Sequence, residues 1–351
     1  MSATRIVITG MGAVTGFGFE WARMWSDMLE GAHCIRPWHP DESGEESFPV
    51  RFAAPVDLSR LPAYLEDHPA WRTPLETRSR YGWIAASQAA RDSGLDAAAW
   101  RNAAVLCASG APQHVVADMR LTLPENPQER PDGSHLVRRA ERVAHDGSLR
   151  QGNDRLARVI ADHLGCEGPV INVSSACAGA AQAIGNAFHM IRRGEVALAI
   201  AGGADSVLNL DTMGALYLLG AASGEQRWGA DLCRPFDRDR SGLIAGEGGG
   251  FVVLERLEHA LARGATPYAE VIGYGSSLDA YKVTAPGPQG RGRRACASAS
   301  IAARTVTPTR PWRPTPNWCR TAAANTAWTP RAWPGGCCRN GPRTRSWCSR
   351  A

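Results

Sequence analysis

Cys177 lies where the sequence changes from a strand pattern to a helix pattern, a position that can activate a thiol. The segment Ile171–Gly185 reads INVSSACAGAAQAIG: an apolar strand end, two serines, the cysteine, and then mostly small residues. A helix N-terminus carries about half a positive charge and has N–H groups without helical partners. Both features favour the thiolate, which is the nucleophilic form of cysteine. The segment predicts an activated cysteine at a strand–turn–helix corner; the alternative is a small buried core cysteine.

Strand and helix patterns alternate through about residue 286 and supply the frame that would hold this cysteine. Short apolar runs predict strands at 5–9, 103–108, 196–202 and 249–254, and from 268 onward. Helical apolar spacing predicts helices at 18–31, 78–94, 153–165, 176–193 and 257–264, and the polar stretch 119–152 is expected to be mostly loop. Strands that alternate with helices are typical of an α/β protein with a mostly parallel sheet and covered faces.

The composition favours a reduced, cytoplasmic enzyme. With 351 residues, 44% of them hydrophobic, the chain could form two ordinary domains or one large α/β unit. The first residues read as a strand rather than a targeting signal, and no apolar run is long enough to span a bilayer. The ten cysteines have neither CxxC pairs nor Cys/His metal spacing, so we expect no disulfide framework and no metal site.

The net charge of +5 hides two regions of opposite charge. Residues 1–279 hold 26 basic and 34 acidic residues, a net charge of −8, whereas 280–351 hold 13 basic and no acidic residues. A basic tail can bind nucleic acid. The other residues of this tail argue against that function, and we expect no nucleic-acid partner.

The tail has a composition unlike that of a folded domain or of ordinary disorder. No leucine follows Leu278, and arginine, proline, alanine, threonine, tryptophan and cysteine dominate. Disordered segments usually lack tryptophan and cysteine, yet five of the twelve tryptophans and five of the ten cysteines lie here. The chain has one lysine, Lys282, against 38 arginines, which suggests a G+C-rich gene. We therefore interpret 290–351 as an irregular basic tail that is disordered or translated out of frame; the alternative is a lineage-specific basic extension.

Three further motifs accompany Cys177: VITGMGAVTGFG at Val7–Gly18, AIAGGADS at Ala199–Ser206 and CRPFDRDRSGLIAGEGGGFVVLE at Cys233–Glu255. In this order and spacing, over about residues 3–286, the chain resembles the elongating β-ketoacyl-acyl-carrier-protein synthases of the thiolase superfamily. The resemblance implies an α/β fold, the thiolase-like αβαβα layered sandwich. Its N-terminal half would span 1–257, the start of its C-terminal half 258–289, and the rest of that half would be largely missing.

The glycines near the N-terminus do not fit a dinucleotide site. After Gly10 and Gly12, that motif would place its third glycine at Thr15, whereas this chain has it at Gly16. We interpret these glycines, and those of Gly246–Gly250, as positions of tight turns and close backbone approach. No bound cofactor is expected.

The resemblance implies a decarboxylative Claisen condensation in fatty acid or polyketide biosynthesis. Cys177 would take the acyl group from the phosphopantetheine arm of an acyl carrier protein, and malonyl-carrier would then lose carbon dioxide and attack the acyl-cysteine. Backbone N–H groups, including that of Cys177, would stabilise the oxyanion. The implied partners are an acyl carrier protein and a second synthase chain, in a homodimer or a heterodimer, without a membrane. Candidate carrier-docking residues are Arg138, Arg139 and Arg142, or Arg192 and Arg193; the alternative for each group is a solvated helix face.

Two catalytic histidines of the family have no counterpart in this sequence. In the family they lie in His-Gly-Thr and Gly-His segments, near a Gly-Phe-Gly-Gly-Thr loop, whereas the last of the nine histidines here is His259 and none lies in such a segment. His189 is on the predicted helix of Cys177 but about 18 Å further along its axis, and His163 precedes the strand that leads to the cysteine. Three alternatives therefore remain: a non-catalytic synthase partner, a truncated product without activity, and an acyl transferase or thioester hydrolase that performs only the first half-reaction.

Two positions match residues that shape the acyl pocket in the family. Ala111 matches a position that gates the pocket, where a small residue leaves room for longer or bulkier acyl groups, and Leu216 matches one that lines it. For both, plain core packing is the alternative. Glu247 and Asp237 are interpreted as structural turn and hydrogen-bonding residues rather than as acid or base.

Overall fold

The computed structural model describes residues 4–40, 48–73, 75–110, 152–278, 280–281, 287–290 and the backbone of 302–305. In these residues the helices are α1 (Trp21–Leu29), α2 (Ala63–Glu66), α3 (Pro69–Arg72), α4 (Thr77–Asp92), α5 (Ala97–Trp100), α6 (Arg155–Leu164), α7 (Gly179–Arg193), α8 (Leu210–Leu218) and α9 (Leu257–Ala262). The strands are β1 (Ile6–Val14), β2 (Arg36–Pro37), β3 (Phe52–Ala53), β4 (Ala104–Ser109), β5 (Val170–Val173), β6 (Leu198–Ser206), β7 (Glu247–Arg256), β8 (Ala269–Gly273) and β9 (Ala302–Thr305).

Seven strands of the described part form one mixed sheet in the order β5-β4-β6-β7-β1-β8-β9. Only β4 with β5 and β4 with β6 pair in parallel; the other four pairings are antiparallel. The expectation of a mostly parallel sheet was therefore wrong. Alternating strand and helix patterns locate the elements. They do not show whether a connection crosses back to the opposite end of the sheet or stays at the same end, and this decides whether the next strand is parallel or antiparallel.

Helices cover both faces of the sheet, and alternate residues of each strand point to opposite faces. On β4, Val105 and Cys107 lie in the core cluster that holds α4 and α6, whereas Ala104 and Leu106 pack with α7. The same alternation holds on β7, where Phe251 and Val253 face α4. Because of this alternation, every second residue of each strand faces α7 and the residues between face the opposite side of the sheet.

The glycines of β1 allow α4 to lie directly on the sheet. A Cβ placed on Gly12 would lie 2.0 Å from the carbonyl oxygen of Ala85, and one on Gly10 would lie 2.2 Å from that of Ala89. Because side chains cannot fit there, the backbones of β1 and α4 are in close contact. The predicted structural role of these glycines, close backbone approach, is confirmed.

An ionic network around the buried carboxylate of Glu255 lies at the C-terminal end of β7, the central strand of the sheet. Glu255 accepts hydrogen bonds from Thr9 Oγ1 at 2.5 Å and from Arg263 Nη2 at 2.6 Å, and its other oxygen lies 2.5 Å from His259 Nδ1. Arg263 also donates to the carbonyl of Ser93 at 2.8 Å. Burial alone would raise the pKa of Glu255, but these hydrogen bonds outweigh it and hold the pKa below its usual range.

The described residues belong to two units: Arg234–Arg240 fall in the second, and the remainder in the first. Within the second, Asp237 accepts a hydrogen bond from the N–H of Asp239 at 2.7 Å and donates its own N–H to Arg234 at 3.2 Å. Asp237 is therefore a turn residue, as predicted.

The region interpreted as an irregular tail contributes backbone to the sheet at one place. Ala302–Thr305 form β9, which pairs antiparallel with β8. Its other residues, apart from Gly290, lie outside the described residues, as does the predicted loop at 119–151. Among the described helices, none combines the length and the hydropathy that a membrane span requires.

Candidate active site

The corner that carries Cys177 begins at the end of β5 and has an unusual backbone conformation. The prediction of one helix over 176–193 was wrong at its start, since Ala176–Ala178 form a 3₁₀ turn and α7 begins at Gly179. Ala176, directly before the cysteine, has φ of 42°, a left-handed conformation that costs a non-glycine residue about 1–2 kcal/mol. Such strain next to a reactive side chain fixes the direction in which that side chain leaves the backbone.

The N-terminus of α7 has no side-chain cap. Its N-cap residue is Ala178, whose methyl group cannot accept a hydrogen bond. The N–H groups of the first turn thus lack the acceptor that Ser, Thr, Asp or Asn would supply at this position. Cys177 itself is exposed, so an uncapped helix end and an accessible thiol lie side by side.

A cavity of about 600 Å³ lies in front of this corner. It runs along the ends of β4 and β6 and across the glycines of β7, and its lining is mostly small and apolar. The groups that line it are Ala176, Cys177 and Ala180; Ala108–Gly110; Gly203–Asp205; Gly246–Gly250; Ala13–Phe17; and Met24, Cys34 and Ala54. An apolar, open-mouthed cavity beside a thiol is suited to an acyl chain.

Glu247 is a structural hydrogen-bond acceptor at the cavity wall. Its Oε1 accepts from the N–H of Val56 at 3.0 Å and from the hydroxyl of Tyr81 at 3.2 Å, and its Oε2 accepts from Ser206 Oγ at 2.6 Å. Both oxygens are engaged, so Glu247 connects the segment after β3, α4 and β6 to the start of β7. This agrees with its predicted structural role.

Asp205 is the second carboxylate of the cavity; it is exposed in the strand and less engaged than Glu247. Its Oδ1 accepts the N–H of Ser206 at 2.9 Å. Burial raises the pKa of its carboxyl, and the Ser206 N–H and the charge of Arg78 counteract that effect. Arg78 is fully buried, paired with Glu76 at 2.8 Å, and donates to the carbonyl of Gly110.

Cys34 is a second thiol in the cavity wall. It is half-buried, and burial raises the pKa of its thiol. It therefore stays protonated at neutral pH and differs in reactivity from an exposed cysteine.

Neither candidate histidine lines the cavity. The His163 ring lies 5.3 Å from that of Trp83 and 5.8 Å from that of His68, and burial lowers its pKa. The His189 ring lies 5.8 Å from that of Tyr274, and burial lowers its pKa as well. Both are packed in aromatic surroundings on their helices.

The remaining predicted site residues lie away from this corner or outside the described residues. Leu216 packs in a satellite cluster with Val50, Met213 and Ala222 and is not among the residues that line the cavity. Arg192 lies over the Phe188 ring at 5.4 Å, and Arg193 pairs with Glu195 at 2.5 Å. Ala111, Arg138, Arg139 and Arg142 lie outside the described residues.

No three His, Cys, Asp or Glu side chains within the described ranges converge as metal ligands.

The residues of the site that the sequence did not single out are Ala176, Cys34 and Asp205. Of these, Asp205 could have been found, since it follows the glycine pair in the AIAGGADS motif, where a polar side chain ends an apolar strand.

Comparison with known proteins finds matches over the part of the chain that contains Cys177 and the cavity. Residues 3–260 match the model of the family described as β-ketoacyl synthase, N-terminal domain. Nodulation protein E of Rhizobium sp. (strain N33) is 32% identical, and the matched region covers 85% of this chain and 70% of that protein. The 3-oxoacyl-[acyl-carrier-protein] synthase 2 of Rhizobium meliloti (strain 1021) is 31% identical, with 86% and 71% covered.

A solved structure agrees with this match. The crystal structure of a β-ketoacyl synthase from Burkholderia phymatum STM815 superimposes with a TM-score of 0.70 at 30% identity. The superposition covers 84% of this chain and 70% of that one.

Proposed function

Since this chain belongs to the β-ketoacyl synthase family, we propose that it is an elongating β-ketoacyl-acyl-carrier-protein synthase by descent, with Cys177 as the residue that takes the acyl group. Its fold is that of the thiolase-like layered sandwich, N-terminal half. The observation that carries the proposal is the exposed Cys177 thiol, held by the strained Ala176 at the uncapped start of α7 and facing the apolar cavity.

The first half-reaction transfers an acyl group to Cys177. The sulfur attacks the carbonyl carbon of an acyl thioester held on a carrier, a C–S bond forms, and the negative charge of the tetrahedral intermediate falls on the carbonyl oxygen. Backbone N–H groups of this corner, that of Cys177 among them, would stabilise that oxygen. The C–S bond to the carrier then breaks, and the carrier leaves as a thiol. The acyl chain would occupy the apolar cavity.

The second half-reaction is the decarboxylative condensation with malonyl-carrier. It needs groups that polarise the malonyl thioester and stabilise the enolate, a role of histidines in the family. The described lining of the cavity contains no histidine. This favours a second candidate, an acyl transferase that performs only the first half-reaction.

The proposed partner is an acyl carrier protein, as in the name of the Rhizobium meliloti relative. Arg192 and Arg193 lie in the last turn of α7 and are exposed; with Arg138, Arg139 and Arg142 they remain candidates for carrier docking. A homodimer or a synthase heterodimer is the proposed assembly.

The test is mass spectrometry of the chain after incubation with an acyl-carrier thioester. We expect an acyl adduct on Cys177, lost in Cys177→Ser and kept in Cys34→Ser, which removes the other thiol of the cavity. An adduct together with β-ketoacyl product after addition of malonyl-carrier supports the full synthase. An adduct without product supports the acyl transferase, and the absence of any adduct contradicts both.

A further inference from the structure

The two carboxylates of the cavity differ in how many donors hold them. Glu247 accepts three hydrogen bonds through both oxygens. Asp205 accepts one, through Oδ1, and its Oδ2 has no donor among the described residues. Ser206 connects the two, since its N–H donates to Asp205 and its hydroxyl donates to Glu247. Among the residues that the structure describes, Asp205 is therefore the cavity carboxylate with an oxygen open to a further proton or donor, and it is exposed.

The sheet places this free oxygen on the same side as Cys177. A Cβ on Gly203 would lie 3.2 Å from that of Ala180, and a Cβ on Gly179 would lie 2.8 Å from that of Ala108, so these strand residues face α7. Asp205 is two residues beyond Gly203 and shares its face. Its Oδ2 would lie 2.4 Å from a Cβ on Gly110, so the carboxylate rests on the end of β4. The corner with Cys177 and the end of β6 with Asp205 thus border the same cavity from either side of β4.

The surroundings of Asp205 suit a group that gains and loses a proton. Burial raises its pKa, while the Ser206 N–H and the Arg78 charge keep the anion accessible. General acid–base groups are most effective when their pKa lies near the working pH. The other titratable groups among the described lining residues are Cys34, Cys177 and the fully engaged Glu247.

We propose that Asp205 carries the proton during acylation of Cys177, which rests on the function proposed above. As the Cys177 sulfur bonds to the thioester carbon, the thiol proton passes to Asp205 Oδ2. When the intermediate collapses and the C–S bond to the carrier breaks, Asp205 returns that proton to the leaving carrier sulfur. The acyl group moves from the carrier sulfur to the Cys177 sulfur, and the proton moves from Cys177 through Asp205 to the carrier sulfur. No oxidant or reductant takes part.

The test compares two reactions of Cys177 in wild type, Asp205→Asn and a control, Asp162→Asn, which alters an exposed aspartate on α6. Acyl transfer from an acyl-carrier thioester expels an alkyl thiolate that needs a proton, whereas transfer of the same acyl group from a thiophenyl ester expels a thiophenolate that leaves without one. Both reactions begin with loss of the Cys177 thiol proton. We expect Asp205→Asn to slow acyl transfer by about 10²-fold or more and to flatten its pH profile. Transfer from the thiophenyl ester should be slowed less than transfer from the carrier, and Asp205→Glu should restore part of the rate of transfer from the carrier.

A second variant guards against misfolding of Asp205→Asn. Gly110→Ala would place a methyl group against Oδ2, the flexible end of the Asp205 side chain, and should shift the carboxylate while keeping its charge. It should also slow transfer from the carrier more than transfer from the thiophenyl ester. Equal slowing of both reactions in the two variants, or unchanged transfer in Asp205→Asn, would overturn the proposal. Absence of acylation in the wild type would instead overturn the proposed function, and this inference with it.

Discussion

Ala176 sets the direction of the nucleophile through its backbone rather than through its side chain. The residue is alanine at a φ of 42°, where glycine would be free of strain. A small side chain is tolerated in this conformation and a β-branched one is a clear outlier. The corner is therefore only slightly strained, and it fixes the direction in which the Cys177 side chain leaves the backbone.

Substitution of Ala176 should separate stability from reactivity. We expect Ala176→Val to lower the free energy of unfolding by about 1–3 kcal/mol and to slow Cys177 acylation. Ala176→Gly relieves the strain but frees the unfolded chain, so its free energy of unfolding should change by less than about 1 kcal/mol. Urea unfolding and acylation rates measure both effects. A valine variant as stable as wild type would show that the corner is unstrained.

At the scale of elements, His68 is the N-cap residue of α3. His68 Nδ1 accepts the N–H of Ala70 at 3.1 Å, so this nitrogen must be unprotonated for the cap to form. Its ring lies 5.6 Å from that of Trp83 and 5.8 Å from that of His163. Burial, with the nearby His163 and Arg91, lowers the pKa of His68 to about 4.

This cap predicts a loss of stability in acid. Because the folded-state pKa of His68 lies below the unfolded value, its contribution is complete above about pH 6.5. It falls as the pH drops toward about 4. His68→Asn keeps an acceptor for Ala70 and removes the titration, so its urea midpoint should change less between these pH values than that of wild type. The pKa of His163 is lowered as well, so His163→Gln serves as the matched control that measures how much this second histidine contributes to the acid loss. Equal dependence of the urea midpoint on pH in wild type and His68→Asn would contradict the assignment to His68.

The elements were easier to predict than their directions. The apolar runs located the long strands because buried strands are nearly continuous in apolar residues, and helix spacing located α1, α4, α6 and α7. Short elements such as α2, α3 and β2 have too few residues for a period. The antiparallel return of β7 was missed because strand direction depends on connections, not on composition.

The position of Cys177 at a strand–helix corner was predictable from the sequence, whereas its surroundings were not. The serine pair and the small residues marked the cysteine, whereas the role of Ala176 depends on a backbone angle that alanine does not signal. The position of Asp205 against Gly110, just after the end of β4, depends on packing between distant parts of the chain. Residues that act through contacts distant in sequence leave little trace in a single chain.

At the scale of the molecule, several large apolar side chains face water. Leu218 and Leu219 at the end of α8 are 86% and 69% exposed, and Leu243, which bridges to Ala222 nearby, is 65% exposed. On α7, Ala178, Ala180 and Ala181 are exposed as well. Exposed apolar patches of this kind mark either an interface or a tendency to aggregate.

We therefore expect the purified chain to self-associate and to unfold with weak cooperativity. Light scattering after size exclusion, together with calorimetry, measures both properties. Leu218→Gln should reduce association, whereas Leu65→Gln, which alters a buried position, should only destabilise the fold. A monodisperse chain with a sharp transition would show that its apolar surface needs no partner.

The composition of 290–351 leads to a prediction about the gene. If the tail is translated out of frame, the bases beyond codon 290 should encode His-Gly-Thr, Gly-His and Gly-Phe-Gly-Gly-Thr segments in another frame. Resequencing across codons 280–300 and translation in three frames decides this. A sound frame without those segments would make the tail genuine and would weaken the condensation reaction as the function of this chain.

The strand order also has a consequence for the time course of synthesis. β1 leaves the ribosome long before its partners β7 and β8, with which it pairs so that Ile6 lies opposite Arg256 and Val271. At about 5–20 residues per second, β1 waits on the order of ten seconds or more with both edges unpaired. Meanwhile β4, β5 and β6 can already pair with one another. The nascent chain therefore needs protection of β1, by a chaperone or by transient contacts, until residue 256 has emerged.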